Sequence, residues 1–171
     1  VGSNALDANT TADGNVAVGH SALSGVSTGN QNTAIGTGAL SGSNGSNNVA
    51  VGFYSQITNS TGGNNVSLGH KSLYTNSTGS NNVAIGHEAL RLSTGSFNVA
   101  IGFQAADSNT TGSVVAVGYQ AAGANTTGSV TAVGKDALRD NISGLSNTAI
   151  GNAALANNSG ASAHYNTACG N

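Results

Sequence analysis

The amino-acid sequence predicts an all-β fold, a parallel β-solenoid with coils of roughly 16 to 17 residues. Three observations lead to it. Glycines that follow short apolar triplets recur at nearly constant spacing, each triplet alternates β-branched and small residues, and every unit contains Gly and Asn, which disfavour helix. Helical repeat units need about 33 residues or more. We therefore expect about ten coils, stacked about 4.8 Å apart.

The repeat runs through the whole chain of 171 residues. The steps between recurring glycines are nearly constant, and only the last step is clearly longer. These glycines are Gly2, Gly19, Gly36, Gly52, Gly69, Gly86, Gly102, Gly118, Gly134, Gly151 and Gly170. Residues 1–171 are thus expected to be one repeat array, and because it begins and ends within a unit, a piece of a longer fibre.

Each unit reads Asn-(Val/Thr)-Ala-(Val/Ile)-Gly-x-x-(Ala/Ser)-Leu, followed by a polar stretch that commonly ends in Thr-Gly. The apolar triplet is predicted to be a first strand, Gly a corner, the Ala-Leu stretch a second short strand, and the Thr-Gly segment the return turn. The residue before each Gly and the Val or Thr two positions earlier are expected to point into the coil, where they meet the leucines. Cys169 occupies this apolar column, so we expect a buried, inert thiol.

The middle residue of the triplet is small in every unit and is expected to point out of the coil. Persistent small size at an outward position indicates close approach of another surface, most simply other copies of the chain in a symmetric oligomer. A chance run in an Ala-rich sequence is the alternative. The predicted trimer seam consists of Ala17, Ala34, Ala50, Ala84, Ala100, Ala116, Ala132 and Ala149.

Asn residues recur at two positions of the unit. We expect the column before the strands, which includes Asn15, Asn32, Asn48 and Asn82, to form hydrogen bonds from coil to coil rather than to bind a ligand. Most N-glycosylation sequons fall in one turn of the repeat, and turn chemistry explains them without sugar.

The two positions after each Gly vary most and carry most of the aromatic and charged side chains. Variable columns with exposed aromatic residues are candidates for recognition of a partner. The candidate receptor-facing residues are Phe53, Tyr54, Phe103, Tyr119, Lys71 and Glu88. Lys71 and Glu88 are neighbours in one column, which is compatible with a weak ion pair. His70 and His87 are neighbours in the other; we interpret them as surface or seam residues rather than metal ligands, since we expect no carboxylate or thiolate ligand beside them.

Composition argues against several function classes. Charged residues make up 6 % of the chain and the net charge is −2, so there is no basic stripe for nucleic acid. No apolar run reaches the roughly 20 residues of a membrane span. No catalytic triad, pair of carboxylates or phosphate loop falls into register. We expect no enzyme, no cofactor and no metal.

The unit Asn-Val-Ala-Ile-Gly-x-x-Ala, found with small variations at 48–55, 82–89 and 98–105, resembles the head repeats of YadA-like trimeric autotransporter adhesins. Its longer spacing and the Asn-Ser-Thr-Gly turns at 59–62 and 76–79 are similar to repeat arrays in bacteriophage tail fibres. The resemblance implies a homotrimer of left-handed parallel β-rolls on a virion or cell surface.

Under this resemblance the expected function is a structural and host-attachment segment of a phage tail fibre. The expected partners are two further copies of the chain and a host surface receptor such as a glycan. The head of a bacterial trimeric adhesin and a passive extracellular filament remain open as alternatives.

Overall fold

The computed structural model describes residues 2–159 and 163–171, and it confirms the predicted parallel β-solenoid. Ten short strands form a single parallel sheet in which each strand pairs with the next along the chain, one coil later. The strands are β1 (Val16–Val18), β2 (Thr33–Ile35), β3 (Val49–Val51), β4 (Val66–Leu68), β5 (Val83–Ile85), β6 (Val99–Ile101), β7 (Val114–Val117), β8 (Val130–Val133), β9 (Asn147–Ile150) and β10 (Thr167–Cys169). The last, longer step of the repeat passes through 160–162, outside the described residues.

The strands are stacked in register with the repeat. Ala34 of β2 is opposite Ala17 of β1 and Ala50 of β3, and the pairing continues in the same way along the sheet. The turns absorb the small differences in repeat length. Equivalent repeat positions therefore form straight columns of side chains along the solenoid.

The predicted second strand is wrong. After Gly19 the backbone turns sharply, because Ser21 (φ 54°) and Leu23 (φ 52°) adopt the left-handed conformation. Ala22 N–H donates back to the Gly19 carbonyl within this turn, and Leu23 N–H donates to Ala39 of the next coil. A segment with left-handed residues at every second position curls too tightly to be extended.

Gly forms the corner after each strand, as predicted. Gly86 has φ +135°, and a Cβ there would collide with the carbonyl of Gly102 in the next coil. The corner thus needs Gly for both its conformation and its close stacking.

The interior is built from the small residues of the strands, and the predicted outward orientation of the alanine column is wrong. These alanines are 0 % exposed in the single chain: Ala34, Ala50, Ala84, Ala100, Ala116, Ala132 and Ala149. Ala17, in the first strand, is partly buried and packs against the same core. They face the buried leucine column, which was predicted correctly to lie inside. Alanines inside the coil cannot form a seam between chains.

The alternation of the strand explains the reversal. Residues i and i+2 share one face of a strand, so Asn82 and Ala84 point the same way and Val83 and Ile85 the other. Asn82 is buried and forms hydrogen bonds with the neighbouring coils. Ala84, on the same face of the strand, therefore also lies inside the coil. Cys169 is in the outward column and is exposed, so the predicted buried thiol is also wrong.

Candidate functional site

The outward side chains of the strands form an apolar surface, which we call the outer strand face. Its two columns follow the sheet from β1 to β10. The first column is Val16, Thr33, Val49, Val66, Val83, Val99, Val115, Thr131, Thr148 and Thr167; the second is Val18, Ile35, Val51, Leu68, Ile85, Ile101, Val117, Val133, Ile150 and Cys169. Among its most exposed members, Val, Ile and Leu side chains are 38–50 % exposed. An unbroken strip of this kind on a water-exposed sheet indicates an interaction surface.

Beside the second of these columns, across the Gly corner, five rings stack on one another. We call this set the aromatic ladder; it consists of Phe53, His70, His87, Phe103 and Tyr119. The ring centroids of successive members are 5.5, 4.8, 5.1 and 5.2 Å apart, and their planes lie within 7–11° of parallel. The in-register stacking of coils produces this spacing, because equivalent Cα atoms are separated by about 4.8 Å.

Stacking determines which part of each ring is available. Tyr54 lies against Phe53 at 4.0 Å, and the Lys135 ammonium lies 6.0 Å from the Tyr119 ring centre. The ring faces are thus occupied within the ladder, while Phe53, Phe103 and Tyr119 remain 39–47 % exposed. The ladder offers a ridge of ring edges to a partner, not flat faces on which a planar or sugar ring could stack.

The next column forms a second, polar ladder. Gln120 Nε2 donates to Gln104 Oε1 at 2.9 Å, and Gln104 Nε2 donates to Glu88 Oε2 at 2.9 Å. The Gln104 amide, with a smaller contribution from the Arg91 guanidinium, lowers the pKa of the Glu88 carboxyl below its usual value. The polar ladder therefore favours the ionised form of Glu88.

The structure does not bring Lys71 and Glu88 together as an ion pair. The Lys71 ammonium lies 5.8 Å from the centre of the Tyr74 ring, a cation–π distance. Glu88 instead lies 3.8 Å from Arg91 Nε. Arg91 makes its principal bonds to Asp107, with Nε to Oδ1 at 2.8 Å and Nη2 to Oδ2 at 3.0 Å.

His70, His87 and Glu88 form a cluster that sequence analysis does not assemble. Their potential ligand atoms lie within 4.8 Å of one another, so a carboxylate does lie beside the histidines, contrary to the expectation from the sequence. The rings of His70 and His87 stack with centroids 4.8 Å apart. The stacked imidazoles are also nearly parallel, so their in-plane lone pairs do not converge on one point. This geometry favours stacking over metal coordination.

The asparagine columns behave as predicted. Asn48 N–H donates to Asn32 Oδ1 at 2.9 Å, and its side-chain amide donates to the Gly62 carbonyl. The sequon asparagines are engaged in turns: Asn76 Nδ2 donates to the carbonyl of Gly79 at 2.9 Å. The same turn recurs at Asn59, Asn109, Asn125 and Asn141, all fully buried in the folded chain.

The residues of both ladders were predicted as adjacent columns, whereas the outer strand face was not predicted. The orientation of the strands follows once the asparagines are known to be buried. A buried Asn column two residues before the alanines places both on the inner face, and the Val and Ile columns are then left outside. The turn conformation had no such signal, since left-handed Leu is rare.

Compared with family models, curated proteins and solved structures, the chain has no match. Over 2–159 and 163–171, no helix has the length and apolar character needed to cross a bilayer.

Proposed function

We propose that this chain is a segment of an extracellular attachment fibre, of the phage tail-fibre type in its repeat texture, in which three parallel copies associate through the outer strand face. The role is structural and attaching, without catalysis, on the surface of a virion. The single observation that carries the proposal is the exposed strip of Val, Ile and Leu along the sheet.

The size of the strip supports association. Twenty outward side chains line the strip along ten strands, and fifteen of them are Val, Ile or Leu. A monomer in water rarely exposes one apolar patch of this size. Removing it from water is favourable by about 25 cal/mol per Å² before the costs of association are subtracted.

The shape of the strip supports a parallel, closed arrangement. It is straight and repeats with the coils, so in copies that lie side by side with the same polarity each level of the strip meets the same level of its neighbour. Cyclic symmetry closes such an assembly without leaving a face open. Three copies is the number that the resemblance to trimeric adhesins and tail fibres implies.

The aromatic ladder supports the attachment role. It crosses five successive coils, from Phe53 to Tyr119, and presents exposed ring edges next to the polar ladder. Mixed apolar and polar surfaces on a rigid support suit recognition of a partner. We assign the receptor-facing role to the aromatic ladder together with Tyr54, which packs against Phe53. Its contact residues are proposed to include Phe53, Tyr54, Phe103 and Tyr119.

Light scattering in solution tests the assembly. The double variant Val83→Lys with Ile85→Lys places two charges on the outer strand face, whereas the control Thr61→Lys with Thr78→Lys places two charges on exposed turns. Circular dichroism verifies that each variant is folded. We expect a mass of three times 16.5 kDa for the wild type and the control, and a single-chain mass for the first variant.

A wild-type monomer, or a trimer that persists with lysines at 83 and 85, would overturn the proposed assembly. The attachment role has its own test: replacement of Phe53, Tyr54, Phe103 and Tyr119 by Ser in a folded trimer. Binding to a panel of bacterial cells is expected to fall, and unchanged binding would favour the passive filament.

A further inference from the structure

A cleft lies beside the polar ladder, in the column of residues five positions after each corner Gly, which we call the charged column because it holds Arg91, Asp107 and Arg139. Asp107, Gly123 and Arg139 occupy the same repeat position in three successive coils, five residues after Gly102, Gly118 and Gly134. Gly123 has no side chain, so a space about 10 Å high, two coil steps, opens between Asp107 and Arg139. The cleft has a volume of about 220 Å³.

Polar groups of different kinds surround this space. Gln104 and Gln120 line one side, Asp107 lies on the coil before Gly123, and Arg139 with Asp140 lies on the coil after it. None of these residues belongs to the outer strand face, so the proposed assembly does not require their burial.

The charges of the cleft are already compensated within the protein. Both oxygens of Asp107 accept from Arg91, at 2.8 and 3.0 Å. Arg139 donates to both oxygens of Asp140, with the shorter bond at 2.8 Å, and its guanidinium lowers the pKa of the Asp140 carboxyl. The cleft thus has charged groups in pairs, with no net charge to attract an ion.

Hydrogen-bonding capacity remains unused. Each carboxylate oxygen of Asp107 has a second lone pair, and the Nη1 donors of Arg139 form no bond within the described residues. Gln120 donates through Nε2, but its Oε1 accepts no hydrogen bond from residues 2–159 or 163–171. A ligand that both donates and accepts hydrogen bonds satisfies all three groups. A simple anion would satisfy only the donor, and a simple cation only the acceptors.

We propose that this cleft binds one uncharged sugar unit. Hydroxyl groups each donate one hydrogen bond and accept others, so a pyranose ring can donate to Asp107 and Gln120 and accept from Arg139. An anion would meet the two carboxylates and a cation the guanidinium. The volume is below the roughly 300 Å³ at which pockets for larger ligands begin, which restricts the site to a single ring.

The source of the sugar, a glycan on the host surface, rests on the proposed function; the cleft itself does not. Three copies of the chain present three clefts on one rod, so a surface dense in the same sugar would be bound with higher avidity than the free sugar. Binding to free sugar and binding to a sugar-coated surface therefore report on different parts of the inference.

The test uses amide chemical shifts from ¹⁵N-labelled protein titrated with methyl glycosides of glucose, galactose, mannose and N-acetylglucosamine. The variant Gly123→Tyr fills the cleft; the same repeat position holds Tyr74, Arg91 and Arg139, so the coil accepts a long side chain. The control Ser41→Tyr adds the same ring at this position in an early coil. Inorganic phosphate and methylammonium serve as ionic probes.

We expect at least one glycoside to shift the Gly123 backbone and Gln120 side-chain amides with millimolar affinity. Gly123→Tyr is expected to weaken that binding about tenfold or more, while Ser41→Tyr leaves it unchanged. No shift with any glycoside up to about 50 mM, an unaffected Gly123→Tyr, or stronger binding of an ionic probe would overturn the site.

A second arm measures retention on beads coated with the best glycoside. If the site and the assembly are both right, the trimer is retained about a hundredfold more strongly than the variant with lysines at 83 and 85. If the trimer and the lysine variant are retained equally while the glycoside still shifts the amides, binding to a glycan surface through avidity would be overturned. The sugar site in the cleft would then still stand.

Discussion

Asn98 is tied to Asn82 of the preceding coil by two hydrogen bonds, from its backbone N–H and its side-chain amide, both at 2.9 Å to Asn82 Oδ1. The Asn82 amide in turn donates to the Gly95 carbonyl at 2.9 Å. One buried side chain thus satisfies backbone groups in two places where the sheet provides no partner.

We expect Asn82→Ala to lower the free energy of unfolding by about 3 kcal/mol, because a buried N–H and a buried carbonyl each lose a partner. Urea denaturation followed by circular dichroism measures this. Asn152→Ala is the control, since Asn152 is exposed and bonds to Asn171 at the end of the chain. A similar loss in both variants would contradict the structural role of the column.

Gly86→Ala is expected to destabilise the solenoid by about 3 kcal/mol or more, since φ +135° is strained for any side chain and a Cβ would collide with the Gly102 carbonyl. The control is Gly42→Ala. Gly42 has an ordinary φ, and its repeat position carries Thr58 and Thr75 in later coils. Thermal unfolding should separate the two variants, and equal melting temperatures would show that the corner tolerates side chains.

Gln56→Leu is expected to stabilise the protein by about 1–2 kcal/mol. Gln56 occupies the leucine column, is fully buried, and neither its Oε1 nor its Nε2 has a partner among the described residues. Leu at this position removes an unsatisfied amide and matches Leu40 and Leu73 in the neighbouring coils. Gln104→Leu, which breaks the bond to Glu88, should give no gain; a loss of stability in Gln56→Leu would mean that the buried amide has a partner.

Acid is expected to weaken the fold at Glu88. Its pKa is lowered in the folded protein, so its stabilising contribution is present above the unfolded value, about 4.3, and is lost as pH falls through the lower folded value. Urea midpoints at pH 6 and pH 3 should therefore differ less in Glu88→Gln than in the wild type. The exposed Asp7→Asn serves as control, and an unchanged pH dependence in Glu88→Gln would contradict the prediction.

Much of the fold was predictable because it is periodic. The recurring Gly and the alternating triplets indicated parallel in-register coils, and the columns of Phe53, Phe103 and Tyr119 followed from counting residues. His70 and His87 follow from the same count, and the structure shows that all five rings stack. It also showed that their ring faces are used inside the ladder, which depends on rotamers that spacing does not reveal.

The sequence by itself determined the repeat length, the sheet, the Gly corners and the coil-to-coil asparagine bonds, because each follows from one residue type at one position in every unit. Tertiary structure decided which side of the strands faces inward. That choice depends on the cross-section of the coil. The cross-section is set by residues such as Leu23 and Leu90, which adopt the left-handed conformation although leucine disfavours it. Such a narrow coil has room for Ala84 opposite leucine, and it leaves Val83 and Ile85 on the surface.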